Sequence, residues 1–238
     1  KDWPYMILTD GISHNFAFNL QLSRSSIDNT IYTRRGSQFI LGLKITPPYS
    51  LIKGTTDAQY AQMTTSEKYN LLEYHKWKFS GKVFTPLSAD SKLVLMARAE
   101  FGYLGHYNKN VKSPFESFYM GGDGMSSYSS YSTEYIAMRG YQSGSLTPYD
   151  PATGRNMGYV YNKFTMELRY PIALEQNATI WALAFVEAGN CFADIRDYNP
   201  FKLKRSAGVG VRLFLPMFGL MGIDWGWGFD PINGSTQY

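Results

Sequence analysis

The chain has 238 residues, a net charge of +4 and a single cysteine, Cys191. The length allows one large all-β domain or two small domains, and the small charge without any basic run argues against nucleic acid as a partner. A lone cysteine excludes an internal disulfide and a cysteine-rich metal site, and no apolar run approaches the roughly 18 residues of a spanning helix.

Alternation of apolar and polar residues predicts a series of β-strands in the first half of the chain. In HNFAFNLQLSR, Phe16, Phe18, Leu20 and Leu22 fall on one face and mostly polar residues on the other. A period of two is the signature of a strand whose faces meet different surroundings. The pattern continues through SQFILGLKI, HKWKFSGKVF and SKLVLMARAEFGYLGHY.

The second half of the chain repeats this pattern in YNKFTMELRYP, SAGVGVRLFLP and LMGIDWGWGFD. The segment ATIWALAFVEAG is apolar on both faces up to Glu187, so its orientation stays open. The sequence therefore predicts about eight strands, several near the roughly 10 residues that a tilted membrane strand needs. It shows no convincing amphipathic helix, although residues 60–74 could contain a short one.

The connections between these strands are unequal in length. Those at 85–92, 169–179 and 215–219 are short, whereas those at 46–73 and 108–157 are long. Outer-membrane barrels alternate short periplasmic turns with long extracellular loops in this way. The interpretation is an all-β fold, a transmembrane antiparallel β-barrel.

A soluble barrel or sandwich also alternates, but the charges and aromatics of these strands argue against one. Burying so many mid-strand charges in a dry core would cost several kcal/mol each unless they were paired. Aromatic residues on the apolar face are typical of a lipid-facing girdle. The charged residues are Arg98, Glu100, Glu167, Arg169, Arg212 and Asp224, and the candidate girdle residues are Tyr103, Trp225, Trp227 and Phe229.

The long loop at 108–157 contains two motifs that resemble one known family. PFESFYMGG, residues 114–122, is followed downstream by Met138 and then by Arg139, Gly140 and Tyr141. Together they resemble the sixth extracellular loop of the bacterial surface antigen superfamily of outer-membrane insertases, in which an aliphatic residue precedes Arg-Gly-Phe or Arg-Gly-Tyr. Met138 stands where Val or Ile is usual, and the spacer between the motifs is longer here. The resemblance extends over nearly the whole chain, because NKFTMELRYPI, LAFVEAGN and SAGVGVRLFLPMFGLMGIDWGWGFD look like consecutive late strands of that barrel.

The resemblance implies that residues 1–238 are part of one transmembrane β-barrel domain. This part would hold about eight late strands of a barrel of about sixteen, within the range of bacterial barrels, without the closing strand or the periplasmic domains. The loop would fold into the lumen, where Arg139 would pair with Glu167 and Glu187 on the wall. A guanidinium offers a rigid fork of donors that two carboxylates can match. Gly140 would allow a tight turn, and Tyr141 would supply packing area.

The function implied by the resemblance is the folding and insertion of β-barrel proteins into the bacterial outer membrane. The expected partners are outer-membrane lipid, nascent β-barrel clients and accessory assembly lipoproteins, with no cofactor, no metal and no enzymatic activity. A translocation-assembly barrel or a two-partner-secretion transporter of the same superfamily is an alternative. A passive porin-type channel is another, in which the loop would constrict a conducting pore.

Other candidate sites in the sequence are weaker. Glu167 and Glu187 could be a catalytic carboxylate pair, but no serine–histidine or glycosidase-like arrangement accompanies them. His14, His75 and His106 have no shared spacing, which argues against a metal site. The segment GGDGMS lacks the Gly-Lys-Ser/Thr ending of a phosphate-binding loop. Cys191 is interpreted as a buried or strand-end thiol.

Overall fold

The protein forms one antiparallel sheet of eight long strands that follow one another in chain order. The structure is a computed structural model, and it describes residues 12–113, 115–123, 133–150, 155–175 and 177–232. The long strands are β1 (Phe18–Ser25), β2 (Gly36–Ile45), β3 (His75–Pro86), β4 (Val94–Gly105), β9 (Val160–Leu174), β10 (Thr179–Phe192), β11 (Lys204–Leu215) and β12 (Gly219–Gly228).

Shorter elements lie in the connections. The loop between β4 and β9 contains β5 (Phe118–Met120) paired in parallel with β6 (Glu134–Ile136), and a small antiparallel pair, β7 (Tyr149–Asp150) and β8 (Arg155–Asn156). Between β2 and β3 lie three short helices, α1 (Tyr49–Lys53), α2 (Asp57–Gln62) and α3 (Thr65–Lys68), and a 3-10 turn spans Ile195–Asp197. Among the described residues, no helix is long and apolar enough to cross a membrane.

The sequence pattern predicts at most one short helix in the connection between β2 and β3. Capping residues explain where α2 and α3 begin. Thr56 with Gln59 and Thr64 with Glu67 form capping boxes at the starts of α2 and α3. In each box the two side chains satisfy backbone N–H groups that the first helical turn leaves unpaired. Only α3 lies wholly within residues 60–74, where the sequence allowed a short helix.

The two faces of the sheet have different surroundings. The outer face is apolar and largely exposed, as at Leu20, Met166, Val211, Ile223 and Trp225. The inner face is the one that the loop between β4 and β9 covers, and most of its charged side chains are partly or fully buried. Trp181, Leu183, Phe185 and Glu187 of β10 are all buried on this face, which settles the orientation that the sequence left open.

The inner face is not uniformly polar. At the end of the sheet where the short turns lie, an apolar cluster covers it, and we call this cluster the floor. The Tyr32 ring, from the connection between β1 and β2, packs edge-on against Trp181 at 5.6 Å. Apolar residues at inner positions of β4 and β10 pack together there. The sequence pattern predicted a polar inner face and did not indicate this apolar cluster. The floor comprises Tyr32, Phe84, Val94, Met96, Trp181, Leu183 and Phe185.

The long loop has its own apolar core at the other end of the sheet. The loop runs from residue 106 to 159, slightly longer than the predicted 108–157. Its side chains Phe118, Met120 and Met138 are fully buried, and they pack with wall residues that include Tyr74 and Leu104. Burying three such side chains favours the docked loop by roughly 1.5–3 kcal/mol each. The loop is thus a packed element of the fold.

Candidate functional site

The two loop motifs noticed in the sequence meet in space. Gly121 and Gly122 both have positive φ, and Gly122 forms an antiparallel bridge with Met138. The Gly122 amide donates to the Tyr141 carbonyl at 2.9 Å, and the Met138 amide donates to the Gly122 carbonyl at 2.9 Å. The glycine pair therefore holds the Arg-Gly-Tyr turn in place. Pro114 and residues 124–132 of the spacer lie outside the described residues.

Arg139 binds acidic side chains on two neighbouring strands. Its Nη2 lies 2.7 Å from Oε1 of Glu187 on β10 and 2.8 Å from Oε1 of Glu167 on β9. Its Nε and its backbone amide also donate to Glu187, at 3.1 Å and 2.9 Å. The guanidinium carbon lies 3.7 Å from the centre of the Phe185 ring, a geometry in which the ring face attracts the cation. The structure thus brings together the three residues that the resemblance pairs.

Gly140 lies where no side chain fits. Its φ is +86°, and a Cβ built on it would lie 2.8 Å from the Trp227 carbonyl carbon. On the facing strand, a Cβ on Gly228 would lie 2.8 Å from the Gly140 carbonyl oxygen. Glycine on both sides therefore lets the loop backbone touch the backbone of β12, a close approach that glycine alone allows.

Tyr141 extends the contact to a further strand. Its hydroxyl donates to the Arg205 carbonyl of β11 at 2.8 Å and accepts from the Asp230 amide at 3.3 Å. The ring is 5% exposed, so the hydroxyl needs both partners. Arg139, Gly140 and Tyr141 together contact β9, β10, β11 and β12, and we call these contacts the arginine anchor.

Further charges on the wall complete the arginine anchor. Lys163 of β9 lies 3.0 Å from Glu187 and donates to the loop carbonyl of Ala137 at 2.5 Å. Arg169 donates to Glu167 at 2.6 Å. Each buried glutamate is therefore neutralised from more than one side, which such burial requires.

A second ionic contact holds the first part of the loop, with the polarity reversed. Here the loop supplies acids, Glu116 and Glu134, and the wall supplies lysines. Lys76 of β3 lies 3.3 Å from Glu116 and 3.0 Å from Glu134. Lys78 binds Glu134 at 2.5 Å, and Lys44 of β2 binds Glu116. We call these contacts the lysine anchor.

The burial of Lys76 and the lowered pKa of Glu134 both indicate that the lysine anchor is stable. Lys76 is only 4% exposed, and its Nζ also lies 4.7 Å from the centre of the Phe118 ring. Burial opposes ionisation of Glu134, but Lys76 and Lys78 outweigh it and hold the pKa of Glu134 below its ordinary value. The alternation in HKWKFSGKVF places Lys76 and Lys78 on the polar face of a strand, but the sequence shows no partners for them. The loop acids were the available signal, yet their pairing depends on contacts across more than 35 residues.

The side chains of the remaining predicted residues lie apart from the anchors. Trp225 and Trp227 project from the outer face, 66% and 45% exposed, and Phe229 follows β12. Tyr103 is half-buried, with its ring edge-on to His75 at 5.5 Å. Within the described ranges no three His, Cys, Asp or Glu side chains could hold a metal ion. Cys191 is a buried free thiol.

The fold and the site define a class of protein: a β-barrel wall of the outer-membrane type, apolar outside, with a long loop bound by ion pairs to its inner face. Residues 4–238 match the Omp85 superfamily domain. The chain belongs to the Omp85 superfamily.

One solved structure is similar to this chain over most of its length. It is the crystal structure of BamA from Haemophilus ducreyi lacking POTRA domains 1–3, with a TM-score of 0.60 and 17% identity. The match covers 91% of this chain and 40% of that chain, so this chain spans less than half of that protein. At this identity the likeness shows the fold alone, and it confirms the predicted barrel fold. No curated protein matches the sequence of the chain.

Proposed function

We propose that this chain is part of the barrel subunit of an outer-membrane protein assembly machine, which folds β-barrel proteins and inserts them into the bacterial outer membrane. Membership of the Omp85 superfamily and the likeness to the BamA fold support the proposal. The protein would act without a cofactor and without covalent chemistry. Its role would be to present barrel strands to incoming chains and to perturb the surrounding lipid.

The observation that carries the proposal is the double anchoring of the loop. The arginine anchor spans four strands, and the lysine anchor holds two more. A passive pore needs an open lumen, whereas here a loop with its own apolar core occupies the inner face. A tethered loop stiffens the wall beside it, which suits a barrel that must stay folded while it handles unfolded clients.

The partners that this function requires are outer-membrane lipid, nascent β-barrel clients and accessory assembly lipoproteins. The apolar outer face, with Ile223 81% exposed, suits lipid. A translocation-assembly barrel or a two-partner-secretion transporter would carry the same anchored loop. These alternatives differ from the proposal in the client that they handle.

Reconstitution tests the proposal. The full-length protein, purified and inserted into vesicles of phosphatidylcholine and phosphatidylglycerol, should speed the protease-resistant insertion of an urea-unfolded eight-stranded barrel client. Vesicles without the protein, and vesicles carrying an unrelated barrel, are the controls. No acceleration over both controls would contradict the proposal. A steady large conductance in planar bilayers would favour the channel instead.

A further inference from the structure

A cavity of about 790 Å³ lies on the inner face beside the loop. Six cationic side chains line it, those of Lys44, Lys76, Lys78, Lys82, Arg98 and Lys163, against four acidic ones, those of Glu100, Glu116, Asp123 and Glu134. The lining therefore carries two more positive than negative charges. An excess of one sign inside a low-dielectric wall concentrates counter-ions.

Most of these cations already have partners. Lys44, Lys76 and Lys78 bind the loop acids of the lysine anchor. Lys163 binds Glu187 and the Ala137 carbonyl. Lys82 of β3 and Arg98 of β4 remain, and because Arg98 binds Glu100, these three side chains carry one net positive charge.

Lys82 and Arg98 form a like-charged pair. They lie directly opposite each other in the β3–β4 register, an arrangement that is destabilising in itself. Within the part of the chain that the structure describes, Lys82 makes no ion pair, and the buried Nε of Arg98 has no hydrogen-bond partner. Arg98 binds Glu100 through Nη2. The other charges near Lys82 are Arg169 and Glu167 on β9, which pair with each other.

We propose that Lys82 and Arg98 bind a phosphate group in this cavity. Lys82, Arg98 and Glu100 together leave one net positive charge, which the single negative charge of a phosphodiester balances, and the oxygens of one phosphate can accept hydrogen bonds from both cations. Directly opposed residues of an antiparallel pair have Cα atoms about 4.5–5.5 Å apart, so the ammonium and the guanidinium can reach a single tetrahedral anion. Ser80, on the same face of β3, adds a hydroxyl to the lining. A guanidinium and an ammonium are the side chains that phosphate prefers in proteins.

The size of the cavity indicates what could carry the phosphate. A volume of about 790 Å³ falls within the range of roughly 300–1,000 Å³ of small-molecule sites. It exceeds what inorganic phosphate needs, so a phosphorylated headgroup also fits. The two sources share the same chemistry at Lys82 and Arg98.

The test measures binding to the full-length protein in detergent micelles at an ionic strength of about 0.01 M, where screening is weak. One arm titrates inorganic phosphate, and the other adds phosphatidylglycerol or phosphatidylcholine to the micelles. Both arms use calorimetry, with the wild type, K82Q, R98Q and K82R. K92Q, at an exposed turn lysine 3.7 Å from Asp90, is the matched control. Heat-modifiable migration on gels verifies that each variant is folded.

Binding in either arm should weaken roughly tenfold in K82Q and R98Q, as expected for loss of a charge-assisted hydrogen bond. It should stay near the wild-type level in K82R and K92Q. Binding of inorganic phosphate in the first arm would show that a free anion is sufficient to occupy the site. Binding of phosphatidylglycerol without binding of inorganic phosphate would show that the ligand is a lipid headgroup. Absence of binding in both arms would overturn the proposal. So would equal affinity in the folded K82Q variant, or binding of a polyglutamate peptide where phosphate does not bind. The proposal does not depend on the assembly function.

Discussion

Glu187 accepts hydrogen bonds from both the backbone amide and the guanidinium of Arg139, at 2.9 Å and 2.7 Å. The side chain of Glu187 is 1% exposed and that of Glu167 is 8% exposed. Glu187 thus depends on the loop for a large part of its hydrogen bonding. This dependence makes the arginine anchor sensitive to single substitutions.

Arg139→Ala should release the turn of the loop and lower barrel stability. The change leaves two buried carboxylates short of a cation, and breaking a buried pair in this way costs roughly 3–5 kcal/mol. Protease cleavage of the loop in intact cells and heat-modifiable migration on gels measure the two effects. The loop cleavage and heat stability of Arg139→Lys should fall between those of the wild type and of Arg139→Ala, because an ammonium cannot reproduce the forked hydrogen bonding of a guanidinium.

Arg196→Ala is the control for Arg139→Ala, since Arg196 is exposed in the 3-10 turn of another loop. It should leave cleavage and heat stability unchanged. Equal behaviour of the two alanine variants would count against the arginine anchor.

Gly140→Ala should undock the turn by steric clash. The new Cβ would lie 2.8 Å from the Trp227 carbonyl carbon, at a φ of +86°. Gly219→Ala is a matched control, because its φ is +79° and nothing lies within 4 Å of the added Cβ. Both variants carry the backbone cost of roughly 1–2 kcal/mol, and only Gly140→Ala adds the clash. The unfolding midpoint in urea should therefore fall further in Gly140→Ala, and equal shifts would refute the close approach.

Glu134→Ala combined with Arg139→Ala should detach the loop more completely than either change alone. The two anchors lie on different strands and share no partner, so their losses should add. Hydrogen exchange of the loop amides measures the detachment. If the double variant exchanges no faster than Arg139→Ala, the Glu134 contacts of the lysine anchor contribute nothing to docking.

Loop docking should resist mild acid. Lys76 and Lys78 hold the pKa of Glu134 below its ordinary value despite burial, which is about 4.3 in an unfolded chain. A lowered pKa gives stability that is present above the unfolded value and is lost as the pH falls through the folded value. Hydrogen exchange corrected for intrinsic rates should therefore be constant from about pH 8 to pH 5 and rise below about pH 4.

Glu134→Gln is the control for this pH dependence. The variant should exchange faster at neutral pH and respond less to acid, because the group that titrates is gone. Opening of the wild-type loop between pH 8 and pH 5 would contradict the prediction.

Ile223→Arg should block stable insertion if the outer face meets lipid. Arginine near the bilayer midplane costs roughly 2–4 kcal/mol, and this cost falls to about 0–1 kcal/mol near the interface. Met217→Arg, in the turn after β11, is the control and should be tolerated. Both side chains are highly exposed, at 81% and 91%, so a sheet facing water would accept both changes equally. The fraction of protein folded in vesicles distinguishes the two cases.

The sequence predicts the long strands well, because an alternating pattern reports the two faces directly. It could not orient β10, where Ala182 and Ala184 face outward opposite Trp181 and Leu183, since all four are apolar. Nor could it find the floor, which depends on Tyr32 reaching the inner face from a connection. The parallel pairing of β5 with β6 joins segments whose partner choice is set by long-range packing.

The residues of the candidate site were likewise only partly predictable from the sequence. The resemblance led to Arg139, Glu167 and Glu187, and the structure places them in contact. Glu116 and Glu134 carried no motif of their own, so only the folded loop shows what they bind.

The opposite polarity of the two anchors has a consequence for how the loop enters the barrel. At one anchor a loop cation meets wall acids, and at the other loop acids meet wall lysines. A loop threaded the wrong way round would press Arg139 against Lys76 and Glu134 against Glu187. Repulsion at both contacts would oppose that arrangement, so the charges favour a single orientation of the docked loop.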